Sequence, residues 1–159
     1  MAVEVRLLGP GDGEALERVA PGVFDGPVRP HWTREFLADA RHHLMVAVDE
    51  GQVVGMVSAL HYVHPDKAPQ LWINEIGVAP SHQRQGIGRR LLDAILAHGR
   101  MLDCTEAWLG TGEANVAARH LYESAGGAPE TFVLYEFPLD QGISPELERS
   151  AMPQDVTRR

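Results

Sequence analysis

A single cysteine, Cys104, stands among the 159 residues. An intrachain disulfide, a thiolate cage for zinc and a redox dithiol are therefore excluded, and Cys104 reads as a small core residue ahead of a strand. No apolar run approaches the roughly 18 residues that cross a bilayer, and the opening MAVEVRLLGPGDG has neither a basic leader nor a long apolar stretch. The expectation is a soluble cytoplasmic protein with no membrane partner. Lysine is nearly missing: Lys67 is the only one among 14 basic residues, against 22 acidic ones, for a formal charge of -8. Coating nucleic acid needs clustered Lys and Arg to neutralise phosphates, so nucleic acid is not an expected partner, whereas a small cationic amine suits an acidic chain. A 44% hydrophobic share is too high for a disordered chain, and 16 Gly with 11 Pro is too little for a fibrous one. The length allows one compact domain, read as 1–138, before a polar tail over 139–159 that has lost periodicity.

The pattern along the chain is β-α-α-β-β-β-α-β-α-β, an α+β arrangement. Val3 to Leu8 alternates as a strand, and helical spacing follows through Ala15, Leu16 and Val19. A second helix is expected from Thr33, as N-cap, to Arg41. His43 to Val48 and Gln52 to Tyr62 form a hairpin around Asp49-Glu50-Gly51, and Leu71 to Val78 is the next strand. Ile87, Leu91 and Ile95 then recur at helical spacing up to Met101. Glu106 to Leu109 reads as a strand, Asn115 to Ala125 as a helix with Ala117, Leu121 and Ala125 on its core side, and Thr131 to Phe137 as a last strand.

Between the fourth strand and the long helix lies Ala79-Pro-Ser-His-Gln-Arg-Gln-Gly-Ile-Gly-Arg-Arg90. A glycine-containing loop at a helix start leaves several backbone N–H groups unpaired and aimed at one spot, where the helix dipole also favours negative charge. Gly86 and Gly88 let the backbone approach a ligand, and Arg84 and Arg89 can add charge. Over residues 79–100, Arg84, Arg89, Arg90 and Arg100 against Asp93 make a basic stretch in an acidic protein. A third glycine of a dinucleotide fingerprint and the GK[ST] of a P-loop are both missing.

Gln83-Arg84-Gln85-Gly86-Ile87-Gly88 resembles the Q/R-x-x-G-x-G/A loop of the GNAT acyltransferase superfamily, and Asn115-Val-Ala-Ala-Arg-His-Leu-Tyr122-Glu-Ser-Ala-Gly126 is similar to its N-x-x-A-x-x-L-Y-x-x-x-G. The resemblance covers about residues 3 to 137, with Gly127 standing where the family usually has Phe. It implies a GNAT fold with a mixed central sheet flanked by helices and splayed at an acetyl-CoA site, with acetyl-CoA as cosubstrate. Gln83, Arg84, Gln85, Gly86, Ile87, Gly88 and Arg89 would hold its pyrophosphate. Backbone groups of Ile76, Gly77 and Val78 would hold the pantetheine and polarise the carbonyl. Asn115, Ala118 and Tyr122 stand at i, i+3 and i+7 and share one helix face, with Tyr122 implied as the acid that protonates the leaving thiolate. A phenol's ordinary pKa, about 10, is close enough to a thiol's for that task.

Glu75 is the expected base. It interrupts an apolar run, LWINEIGV, and simple alternation puts Ile73, Glu75 and Gly77 on one face. A carboxylate there is costly unless a cleft solvates it or the chemistry uses it. His61, His64 and Asp66, in the stretch leading to this strand, join Glu75 as expected acceptor-binding residues. H-x-x-H without a third ligand at diagnostic spacing does not make a metal site, and none is expected. The HYVHPDKAPQLWINEIGV stretch is similar to the small gentamicin-type aminoglycoside 3-N-acetyltransferases, which implies an aminoglycoside acceptor. Two alternatives stay open: the same chemistry on a protein N-terminus, a lysine or another small amine, and a GNAT-shaped module that holds CoA without catalysis. A homodimer is also left open.

Overall fold

The computed structural model describes residues 2–139. They form two compact units, one up to Gly110 and one from Thr111. The first runs β1 (Glu4–Leu8), a 3-10 turn (Gly13–Glu17), α1 (Pro30–Ala38), β2 (His42–Asp49), β3 (Gln52–Tyr62), β4 (Gln70–Val78), a short 3-10 turn (Pro80–His82), α2 (Ile87–Met101) and β5 (Glu106–Trp108). The strands lie side by side in chain order. All pairs are antiparallel except β4 with β5, so the sheet is mixed, as the resemblance implied. The β2–β3 loop is tight because Glu50 (φ 47°) and Gly51 (φ 75°) both take left-handed backbone, the twist that matches a two-residue hairpin.

Two helix expectations change. The segment expected as a first helix is a five-residue 3-10 turn, because the chain after it turns to bond the sheet: Val53 N–H donates to Arg18 O and Ala20 N–H to Val53 O, both at 2.8 Å. Val19, expected on the helix, bridges Val53 instead. The second helix starts at Pro30 rather than at Thr33, since a proline at the first helical position has φ already fixed and no N–H to satisfy.

The sheet is covered on both faces. Gly55, Val57, Ala59 and His61 share the α2 face, because a Cβ on Gly55 would stand 3.1 Å from both Ile87 and Leu91. Ile87 is 2% exposed and Leu91 and Ile95 0%, each burial being worth about 1.5–3 kcal/mol. The opposite face carries the 3-10 turn, α1 and the segment joining them. There a Cβ on Gly77 would fall 2.0 Å from the Val23 carbonyl oxygen, so only glycine fits. Among the described residues no helix is long and apolar enough to cross a membrane.

A chain of three imidazoles crosses the α2 side of the core. His98 Nε2 lies 3.0 Å from His43 Nδ1, and His43 Nε2 lies 2.8 Å from His61 Nδ1. His43 is 5% exposed, and burial, with His98, His61 and His42 nearby, pushes its pKa down to about 4, against a smaller upward pull from Asp39.

The second unit holds α3 (Val116–Ser124). Asn115 caps it by accepting from Ala118 N–H at 3.1 Å. Its end is closed by two bonds, Gly126 N–H to Glu123 O and Gly127 N–H to Tyr122 O, both 3.0 Å, with Gly126 in left-handed backbone (φ 94°). A Cβ at Gly127 would press 3.0 Å from the Tyr122 oxygen. The expected stripe of Ala117, Leu121 and Ala125 is not a core: Ala117 is exposed and the other two half-buried. Thr131 to Phe137, expected as a strand, has no strand structure. A strand exists only through ladder pairing, and among the described residues this unit offers no other strand to pair with. The expected tail from 140 onward lies outside the described residues.

Because the folded His43 stays neutral where the unfolded imidazole charges, near its ordinary 6.5, its contribution to stability is complete above pH 6.5 and is lost as pH falls toward 4. Unfolding titrations across that window should show a loss of about 3 kcal/mol in the wild type, and His43→Asn should flatten the slope.

Candidate active site

The fourth strand carries a bulge at its middle. Ile73 pairs with Ala59 and Glu75 with Ser58, so Asn74 is an additional residue with no ladder partner on β3. One extra residue shifts the alternation. Ile73 therefore faces α2, while Glu75 and Gly77, opposite Ser58 and Met56, face the other side. This corrects the expectation that Ile73 and Glu75 share a face. The signal was present in the sequence, since two adjacent polar residues, Asn74 and Glu75, break the apolar run. Glu75 is half-buried.

The other edge of β4 is open over much of its length. It meets β5 only at Gln70, Leu71 and Trp72, and from Ile73 to Val78 no strand among the described residues continues the ladder on that side. Unpaired backbone donors and acceptors along an extended strand are a template for another extended molecule. The same strand runs through Val78 into the glycine loop.

That loop is shaped for an anion. Gly86 is the N-cap of α2 in left-handed backbone (φ 78°), and a Cβ there would meet nothing within 4 Å. Arg84 is also left-handed (φ 63°), and among the described residues the amides of 84–88 donate no backbone bond outside the helix. Ile87 is buried and anchors the helix start, while Gln83, Arg84, Gln85 and Gly86 are exposed. Gln83 Nε2 donates to Val78 O at 3.1 Å and Gln85 Nε2 to Ser81 O at 3.3 Å, so both amides brace the loop. Arg89 is turned along the helix, its Nε 2.9 Å from both Asp93 oxygens. Arg90 donates to Val3 O at 2.7 Å. Arg84, unlike Arg89 and Arg90, has neither an ion pair nor a side-chain hydrogen bond among the described residues.

The predicted acceptor residues separate. His61 faces α2 and belongs to the imidazole chain, across the sheet from Glu75. His64 Nε2 lies 3.0 Å from Gln70 Oε1, which also accepts from Tyr62 Oη at 3.3 Å, while Gln70 donates to Glu106. Five residues of strand part Gln70 from Glu75, roughly 15 Å. Asp66 is exposed in the preceding loop. Neither His61 nor His64 is brought to Glu75. In the second unit, Asn115, Ala118 and Tyr122 share one helix face, with Asn115 spent as the cap and Tyr122 half-buried. Cys104 is half-buried, and burial, then Asp103, raises its thiol pKa, which argues against a reactive thiolate. No group of His, Cys, Asp and Glu able to hold a metal occurs among the described residues.

A cavity of about 680 Å³, which the sequence did not reveal, lies between the 3-10 turn, the segment from Val19 to Val28 and the first turns of α1. The segment forming its wall is the one whose Val23 rests on Gly77.

Residues 14–127 match the Acetyltransferase (GNAT) family. N-acetyltransferase family 8 member 3 of Mus musculus is 33% identical over 110 residues, 65% of this chain and 47% of that protein. Mycothiol acetyltransferase of Thermomonospora curvata is 33% identical over 135 residues, 78% of this chain and 43% of that protein. The chain thus spans about half the length of these curated relatives. Among solved structures, an aminoglycoside acetyltransferase from an uncultured soil metagenomic sample, in complex with sisomicin, superposes with a TM-score of 0.77 at 19% identity, over 87% of this chain and 97% of that one. At that identity it shows a shared fold.

Proposed function

The chain belongs to the GNAT acetyltransferase family, and from that premise we propose that it transfers the acetyl group of acetyl-CoA to the primary amine of a small molecule. The observation that carries this reading is the open edge of β4 from Ile73 to Val78 running directly into the Gly86 cradle at the start of α2. Edge and cradle fit an extended arm ending in a pyrophosphate: free backbone groups for the arm, and convergent amides with an open left-handed glycine for the anion. When bound, acetyl-CoA supplies the activated acetyl group as a thioester. Backbone N–H groups of loop residues 84–88 and the Arg84 guanidinium hold the phosphates, while backbone groups from Ile76 to Val78 orient the arm.

Glu75, on the face covered by the Val19 to Val28 segment, takes the proton from the acceptor's ammonium, since only the neutral amine is a nucleophile. Tyr122 is assigned the acid from its place in the second motif and from its phenol, which can donate to a thiolate. The ammonium would give one proton to Glu75, and the neutral nitrogen would then bond to the thioester carbon as the carbon–sulfur bond breaks. Tyr122 would protonate the sulfur, and the second proton shed by the nitrogen would restore the Tyr122 phenol, leaving an amide and a free thiol. The aminoglycosides, including the gentamicin 3-N type, are one acceptor class for this reading. The sisomicin-bound fold neighbour and the formal charge of -8 support it.

Three variants test the assignment. Gly86→Val places a β-branched side chain on left-handed backbone at the cradle; calorimetry should show acetyl-CoA affinity lowered about tenfold or more with the circular dichroism unchanged. Unaltered affinity would remove the phosphate seat. In Glu75→Gln the rise of kcat/KM with pH on the acidic side should disappear, measured with whichever amine in a panel releases free thiol. A variant that keeps the wild-type profile would make Glu75 structural. Tyr122→Phe should lower kcat by roughly a hundredfold with little change in KM, because the lost proton transfer belongs to the transition state; wild-type turnover would leave Tyr122 a packing residue.

A further inference from the structure

The cavity beside α1 has a fixed inner wall. Its Val19 to Phe24 segment is bonded to the start of β3 through Val53, and Gly22 (φ 80°) is seated so that a Cβ would stand 2.9 Å from Pro80. Val23 meets Gly77, which lies two residues beyond Glu75 on the same face. The cavity wall is therefore anchored on the strand that carries Glu75, at its exit toward the glycine loop. At about 680 Å³ the space is of small-molecule size, which runs from roughly 300 to 1,000 Å³.

Its lining is mostly apolar, with Leu16, Val19, Phe24, Pro27, Val28 and Pro30 among its walls. The charged residues lining it are one carboxylate, Glu17, and one guanidinium, Arg34. Both are exposed side chains with no ion pair or hydrogen bond of their own among the described residues. A polycation would need a surplus of carboxylates, and this lining has none. A body with apolar surface would displace water from the prolines and Phe24, and a single carboxylate would match the planar fork of Arg34. Glu75 is not among the lining residues, so the amine end of such a molecule must extend past the lining to reach it, with the carboxylate end left at Arg34. Resting on the acetyl-transfer reading above, we infer that the acceptor is an amino-acid-like amine, with an apolar body and one carboxylate held by Arg34.

L-phenylalanine, its methyl ester and gentamicin are the probes, used with the full chain in the presence of CoA. Binding is followed by calorimetry, and acetylation by free-thiol release when acetyl-CoA replaces CoA. Phenylalanine should bind about tenfold more tightly than its ester. Arg34→Gln should remove that difference while leaving the ester unchanged, Arg34→Lys should restore part of it, and Val28→Trp, which fills the cavity, should weaken both ligands. Equal binding of acid and ester, or indifference to Arg34→Gln, overturns the assignment. If gentamicin is acetylated while phenylalanine neither binds nor reacts, the acceptor class fails and acetyl transfer stands. If phenylalanine binds through Arg34 but no amine in the panel releases thiol, the ligand class of the cavity is upheld and acetyl transfer is what fails.

Discussion

The contact between the Val23 carbonyl and Gly77 governs the arrangement of the first unit's functional side. Only a residue without a Cβ lets a backbone oxygen come so near a strand, since the Cβ would otherwise fall 2.0 Å from it. Because the contact is between backbones, it fixes the covering segment at a depth no side-chain packing could set. The cavity wall, the exposure of Glu75 on that face and the approach of Gly22 to Pro80 all follow from it. A larger residue at 77 would lift the segment and alter the cavity wall and the strand's exit together.

The bulge at Asn74 solves a second problem. One additional residue reverses which face the later residues of β4 take, without breaking the ladder on either side. Ile73 can then complete the α2 core while Glu75, two residues later, serves the opposite face. The three-residue pairing of β4 with β5 complements this on the other edge, leaving the later part of β4 with backbone groups unused by the sheet of described residues.

Much of this was legible in the sequence. The hairpin, the long amphipathic helix and the glycine loop rest on local chemistry: turn residues with left-handed backbone, apolar residues at helical spacing, and glycine at a helix start. What was not legible depends on pairing over distance. Val19 read as helical because Ala15, Leu16 and Val19 have the right spacing, but its bridge to Val53 won. Simple alternation placed Glu75 with Ile73 because a bulge has no spacing signature beyond two adjacent polar residues. His61 was grouped with the acceptor residues by nearness in sequence, whereas the β2–β3 register carries it to His43. Phe132 to Phe137 alternates like a strand, yet alternation gives a preference for pairing and cannot provide the partner.

The imidazole chain has a consequence of its own. A neutral His43 has one N–H and one lone pair, so it must give to one neighbour and take from the other. Only two arrangements satisfy both bonds, and each fixes a direction for the whole row: from His98 toward His61, or the reverse. Reversing it moves protons between nitrogens without moving any backbone. Whether the outward nitrogen of His61 offers or receives a hydrogen is thereby tied to the state of His98, so that the last part of α2 and the end of β3 share one bit of information across the core.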